Sequence, residues 1–159
     1  MSKFDEIRSA VSTLVTDSDA YWKKLQAVYV LFNGQLMQYW GVTHGVVLDN
    51  SGTQHGVFKT GVYDNVKKEI TPQAPFSLPR DGYKLCFDLL MNLPDAGSDV
   101  IAYRKVTRIK YEFSNGEYIF EVEGIPTNPV CTEKNGVVDL TPLFDALHSQ
   151  LLNHLKFRR

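Results

Sequence analysis

The sequence predicts an α+β fold, an antiparallel β-sheet of hairpins covered on one side by helices, as a single domain over residues 1–159. Two observations carry that reading. Residues 103–124 hold two alternating runs around Asn115-Gly116, and Asn-Gly suits a two-residue type I′ turn whose positive φ angles match the twist of paired strands. Closing the turn there sets the register, so that Phe113 faces Tyr118, Tyr111 faces Phe120 and Ile109 faces Val122 on one apolar face. The opposite face then pairs Arg108 with Glu123 and Lys110 with Glu121, cross-strand charges worth roughly 0.2–1 kcal/mol each. A sheet with one apolar and one charged face needs a helical layer against the first. The second observation is the apolar run from Arg80 to Leu93, whose polar residues recur every fourth position and whose Leu85, Cys86, Leu89 and Leu90 read as the natural helical cover for that face, with amphipathic segments of helical period also standing at both ends of the chain.

In chain order, Ser2 and Asp5 form a capping-box pattern, and Phe4, Ile7, Val11, Leu14 and Val15 recur at helical spacing, which predicts an amphipathic first helix. Asp17-Ser18-Asp19 is expected to break it and to cap a short turn carrying Tyr21 and Trp22. Residues 25–32 and 36–42 flank Asn33-Gly34, which reads as a second hairpin with the same turn chemistry, apolar on both faces and either central in the sheet or partly under a partner. Glycines punctuate residues 41–61, and Asn50-Ser51-Gly52 between two valine-containing arms predicts a looser third hairpin. Pro72, Pro75 and Pro79 make residues 71–79 an extended crossing segment. From Arg80 to Leu93 the only polar positions in a largely apolar run, Arg80, Lys84, Asp88 and Asn92, recur every fourth residue. This reads as a buried helix with one narrow polar stripe, lying over the aromatic face of the 103–124 hairpin. Pro94 to Asp99 is a polar loop, Thr141-Pro142 caps the last helix, and Phe144, Leu147, Leu151 and Leu155 form its apolar stripe.

Composition narrows the function. A formal net charge of −1, with Lys and Arg spread along the chain, speaks against direct nucleic-acid binding, which needs a concentrated basic surface. The cations at the tail, Lys156, Arg158 and Arg159, read as complements to a helix dipole. No stretch approaches the ~20 apolar residues of a membrane span and the N-terminus lacks a signal-peptide core, so a cytoplasmic protein without membrane contact is expected. Cys86 and Cys131 are read as free thiols, Cys86 inert within an apolar segment. No metal or cofactor is expected. His148 and His154 are six apart and cannot share a helix face. His44 and His55 lie in equivalent arms of the third hairpin, yet no Cys-x-x-Cys or His-Glu-x-x-His completes a ligand set. Phe58 stands where a phosphate loop needs glycine before Lys59, and no serine sits in a nucleophile elbow.

What remains are loop acids and aromatics. The pairs Asp95 with Asp99 and Asp17 with Asp19 read first as caps and solvated charges, and second as what a partner with a basic active site would recognise. Tyr21 and Trp22 beside Asp17 and Asp19 belong to the residue types that anchor protein interfaces. The amphipathic first helix, the run Trp22-Lys23-Lys24-Leu25-Gln26-Ala27-Val28-Tyr29-Val30, the Tyr39-Trp40 pair and the lack of catalytic machinery resemble bacterial toxin-immunity proteins, the YezG-like group and the immunity partners of contact-dependent inhibition toxins. The resemblance covers about the first 125 residues. It implies a cytosolic, non-catalytic inhibitor, a monomer or weak dimer, that blocks the active site of a cognate toxin domain, often a nuclease. Asp95, Asp99, Asp17, Asp19, Tyr21 and Trp22 are the candidate partner-binding residues. Type III secretion chaperones share almost the same element order but are generally strongly acidic dimers, and a small enzyme or ligand-binding domain is the third reading.

Overall fold

The computed structural model describes residues 2–157. Its elements are a long helix α1 (Lys3–Tyr39), strands β1 (Val46–Leu48), β2 (Gln54–Gly56), β3 (Phe58–Asp64), β4 (Glu69–Thr71), β5 (Arg80–Asp81), β6 (Lys84–Pro94), β7 (Ile101–Ser114), β8 (Glu117–Val122), β9 (Val130–Lys134) and β10 (Val137–Asp139), and a closing helix α2 (Thr141–His154). Eight strands form one antiparallel sheet in the order β10-β9-β8-β7-β6-β3-β4, with β5 pairing β6, while β1 and β2 make a separate hairpin. Both helices pack on one side of the sheet, as an α+β fold requires.

The 103–124 hairpin stands as the sequence dictates. Phe113 pairs with Tyr118, Tyr111 with Phe120 and Ile109 with Val122, and Asn115 and Gly116 both take positive φ, +52° and +79°. Its apolar face meets the helices: Tyr111 stacks on Phe120 with ring centroids 5.0 Å apart, and the Tyr111 hydroxyl donates to the Leu25 carbonyl of α1. On the charged face the ion pairs are redistributed. Lys110 is level with Glu121, yet Lys110 Nζ reaches Asp81 at 3.0 Å and Glu121 takes Lys84 at 2.5 Å. Each long side chain spans an intervening strand, because the strands on either side offer a carboxylate or ammonium that pairing geometry alone does not reveal.

Two expected elements are overturned. Asp17-Ser18-Asp19 does not break the first helix, and residues 25–42 are not a hairpin, since α1 runs without interruption to Tyr39 from a capping box in which Asp5 N donates to Ser2 Oγ at 3.1 Å. The buried positions of its second half, Leu25, Val28, Tyr29, Phe32 and Leu36, follow helical period. Phe32 is the hub, edge-on to Phe87 at 5.0 Å and to Phe144 at 5.6 Å. Burying that face outweighs the turn preference of Asn33-Gly34, and Asn33 Nδ2 is turned to a tertiary use, donating to the Phe58 carbonyl at 3.2 Å.

Residues 80–93 are likewise not a helix. Arg80 and Asp81 turn through Gly82, at φ +61°, into β6, which lies between β7 and β3 and is buried from Leu85 to Asn92. Leu85, Phe87, Leu89 and Met91 face the helices, whereas Cys86, Asp88, Leu90 and Asn92 face the opposite side. Those buried polar groups are satisfied: Asp88 takes Arg108 Nε at 3.0 Å and the Tyr63 amide at 2.9 Å, and Asn92 donates to the Gly56 carbonyl at 2.8 Å while accepting from Arg104 Nε at 2.9 Å. The 71–79 crossing contains one short helical turn, Pro75–Ser77. At the last helix Thr141 is already helical, its hydroxyl donating to Asp139 Oδ1 at 2.6 Å, and Leu143, Phe144, Leu147 and Leu151 are buried while Leu155 is partly exposed. Arg158 and Arg159 lie outside the described residues.

Candidate functional site

The end of α1 builds a site. Gly41 sits one residue past the cap at φ +69°, its amide donating to the Gln38 carbonyl at 3.2 Å, and the Val42 amide donates to the Met37 carbonyl at 2.8 Å. This double closure uses glycine's access to the left-handed region to stop the helix and turn the chain. Tyr39 and Trp40 are thereby held against α2. The Tyr39 hydroxyl donates to Asp145 Oδ1 at 2.5 Å, and that carboxylate raises the tyrosine pKa above its ordinary value. Trp40 Nε1 donates to the Phe144 carbonyl at 3.4 Å, and its ring lies edge-on to Phe58 and His148, 5.6 and 5.9 Å away.

The turned chain, Val42 to Val47, runs on to the β1–β2 hairpin and forms the facing wall. Between the walls is an open cleft of about 850 Å³ floored by the buried side chains of Val47, Val57, Phe58 and Leu151. Asp99, Asp145, His44 and His148 line it and are exposed, so they stand at its mouth. An apolar floor with a few polar groups at the edge, in the 300–1,000 Å³ range, is the usual form of a binding site. The hairpin wall is tied in place by the Leu48 amide, which donates to the Asp99 carbonyl at 2.7 Å.

The structure separates the residues singled out from the sequence. Asp99 lines the cleft, but Asp95 does not. Asp95 is exposed and organises its own turn, accepting from the Ala96 amide at 2.7 Å through Oδ1. Asp17 and Asp19 are exposed on the first half of α1. Tyr21 and Trp22, half-buried, fasten that helix to the sheet: the Tyr21 hydroxyl donates to the Tyr83 carbonyl and accepts from the Phe113 amide at 3.4 Å, and the Arg80 guanidinium lies 4.0 Å from the Trp22 ring centroid. The sequence reading passed over Asp145 and His148 as site residues, and Gly41 just past an apolar helical run was the signal that would have ended the helix at Tyr39-Trp40.

His44 and His55 serve different places. His44 borders the cleft, while His55 Nε2 meets Asp49 Oδ2 at 2.8 Å and His55 Nδ1 meets Lys59 Nζ at 3.1 Å. A His-Asp pair invites a catalytic reading, but both ring nitrogens are occupied and Ser51 Oγ is spent on Asp49 itself at 2.6 Å. The Ser51 hydroxyl foremost, then His55 and the Thr53 amide, hold the Asp49 carboxyl well below the usual carboxylate range, so this cluster clasps the 49–53 loop. Among the described residues no group of three or more His, Cys, Asp or Glu side chains is arranged to hold a metal ion, and no helix is long and apolar enough to cross a membrane. Compared with protein-family models, with curated proteins and with solved structures, the chain matches none of them.

Proposed function

We propose that this protein is a non-catalytic immunity protein of the cytoplasm, which neutralises a cognate bacterial toxin domain by gripping it at the cleft between α1, α2 and the β1–β2 hairpin. One observation carries the reading: Tyr39 and Trp40 stand over an apolar floor with the carboxylates of Asp99 and Asp145 at the mouth. Tyrosine and tryptophan in a desolvated pocket are the side chains that dominate protein-binding energy, and the surrounding polar edge orients the partner. Carboxylates at that edge suit a partner with a positive active-site groove, which is what a nuclease keeps for phosphate. A nuclease domain is therefore the toxin class that the cleft fits best.

The test begins with affinity-tagged full-length protein purified from its native host, followed by identification and recombinant expression of whatever is held in a one-to-one complex. A toxic folded domain whose growth inhibition is relieved by the wild-type chain, and less so by Asp99→Asn with Asp145→Asn, is the expected result. A partner that is an effector segment without tertiary structure favours the secretion-chaperone reading and overturns this one. A toxin neutralised equally well by the doubly substituted chain places the interface away from the cleft.

A further inference from the structure

The first half of α1 stands free of the body. Every residue from Lys3 to Ala20 is exposed, and the first side chains of the helix that pack against the core are Tyr21 and Trp22. This arm, ~27 Å long at 1.5 Å per residue, nevertheless carries an apolar stripe, with Phe4 67%, Ile7 59%, Val11 52%, Leu14 66% and Val15 52% exposed. Phe4, Ile7, Val11 and Leu14 are spaced by three, four and three residues, the a and d positions of a coiled-coil heptad. We infer that this stripe is covered by the same stripe of a second copy, and that the two arms pair antiparallel.

Continuity of the stripe selects the orientation. Carried forward at the same spacing it reaches Tyr21, Leu25, Val28 and Phe32, the face that the helix buries against its own sheet. In a parallel pair joined through that face, the two bodies would compete for the space between the helices. In an antiparallel pair Phe4 lies level with Leu14 of the second copy and Ile7 with Val11, so each arm ends beside residue 15 of the other, short of the body that begins at Tyr21. The second arm simply extends the apolar layer that the sheet supplies further along.

Charge agrees. At the positions flanking the seam, a parallel pair sets Lys3 against Arg8 of the second copy, like against like, whereas the antiparallel register sets Lys3 against Asp17 twice over. Arg8 then meets its own counterpart near the dyad, a smaller conflict because its guanidinium already folds back over the Phe4 ring, 5.9 Å from the centroid. Two arms of ~10 Å width that overlap from Lys3 to Val15, ~20 Å, bury only several hundred Å² in total, short of the ~1,000 Å² that a stable specific interface clears. The dimer is accordingly a weak, dissociable one.

Sedimentation equilibrium of the full chain from about 1 to about 500 µM reads this directly. A reversible monomer–dimer equilibrium is expected, shifted at least tenfold toward monomer by Ile7→Glu with Val11→Glu, two exposed positions at which the melting curve of the monomer should not move. Lys3→Glu alone should weaken the dimer severalfold, and adding Asp17→Lys to it should restore most of the loss. A chain that stays monomeric throughout overturns the inference, as does a dimer indifferent to the Ile7 and Val11 changes or a charge reversal that the second change does not rescue. Cosedimentation of the full wild-type chain with phosphatidylglycerol vesicles, lost in Ile7→Glu with Val11→Glu while the chain remains monomeric, assigns the stripe to a lipid surface and also overturns it.

Discussion

The Asn-Gly dipeptides at 33–34 and 115–116 stand in opposite surroundings, and replacing Gly34 or Gly116 by alanine should change stability in opposite directions. Gly34 lies inside α1, five residues before its end, and is exposed, and among the described residues nothing stands within 4 Å of a Cβ built there. Glycine in an exposed helix interior is less favourable than alanine by about 0.8–1.0 kcal/mol, through backbone entropy in the unfolded chain. With no clash to set against it, Gly34→Ala should stabilise the fold by about 0.5–1 kcal/mol, a rise of roughly 1–4 °C in Tm for a domain of this size. Gly116 has equally open space around it but sits at φ +79°, so Gly116→Ala should cost about 1–2 kcal/mol from the left-handed conformation alone. Urea melts at fixed slope, supported by calorimetry, read both changes. If residues 25–42 formed a hairpin instead, Gly34 would occupy a turn and the substitution would destabilise. A fall in midpoint for Gly34→Ala refutes the continuous helix, and a gain for Gly116→Ala refutes the turn.

Three further outcomes follow from single side chains. Thr107 is fully buried on the helix-facing side of β7 and its hydroxyl has no hydrogen-bond partner among the described residues, so Thr107→Val should stabilise by about 1 kcal/mol in a urea melt. Burial pushes the Cys131 thiol up to about 11 and raises that of Cys86; neither should react with a disulfide reagent at about pH 8 until guanidinium unfolds the chain. The Thr141 hydroxyl, then Lys134, hold the Asp139 carboxyl down at about 2, below the ~3.9 of an unfolded chain. A depressed carboxylate stabilises above its unfolded pKa and ceases to do so as pH falls through the folded one. The Tm advantage of the wild type over Asp139→Asn should therefore be full near pH 6 and vanish by about pH 2.

The hairpin at 103–124 was legible because a two-residue turn fixes register and alternation fixes the buried face, so one local signal determines every pair. The segment 25–42 was not, because nearly every position from Val28 to Phe32 is apolar and such a run satisfies a strand and a helix alike. Only tertiary contact separates them: Val30 and Leu31 are left outside while Val28, Tyr29 and Phe32 are buried. The polar residues at 80, 84, 88 and 92 misled for a related reason, since a step of four is near one helical turn and also an even number, which places Lys84, Asp88 and Asn92 on one face of β6 while Arg80 falls in β5. Asp81-Gly82 was the local sign against a helix, a turn dipeptide at the start of the apolar run. Of the site, Asp99 could be read as an exposed loop acid. Its partnership with Tyr39, Trp40 and Asp145 could not, because the cleft is assembled from the end of one helix, the side of another and a detached hairpin.

The central claim, that the acid-edged cleft receives a basic protein partner, is tested most directly by the association rate of the reconstituted complex, followed by stopped-flow fluorescence of Trp40 at low and high salt. Asp99→Asn with Asp145→Asn should slow association by roughly threefold to tenfold at low salt and flatten its salt dependence, with folding stability unchanged. Asp95→Asn, outside the cleft, should leave both untouched. An association rate indifferent to Asp99 and Asp145, or one that falls as far with Asp95→Asn, would contradict the claim.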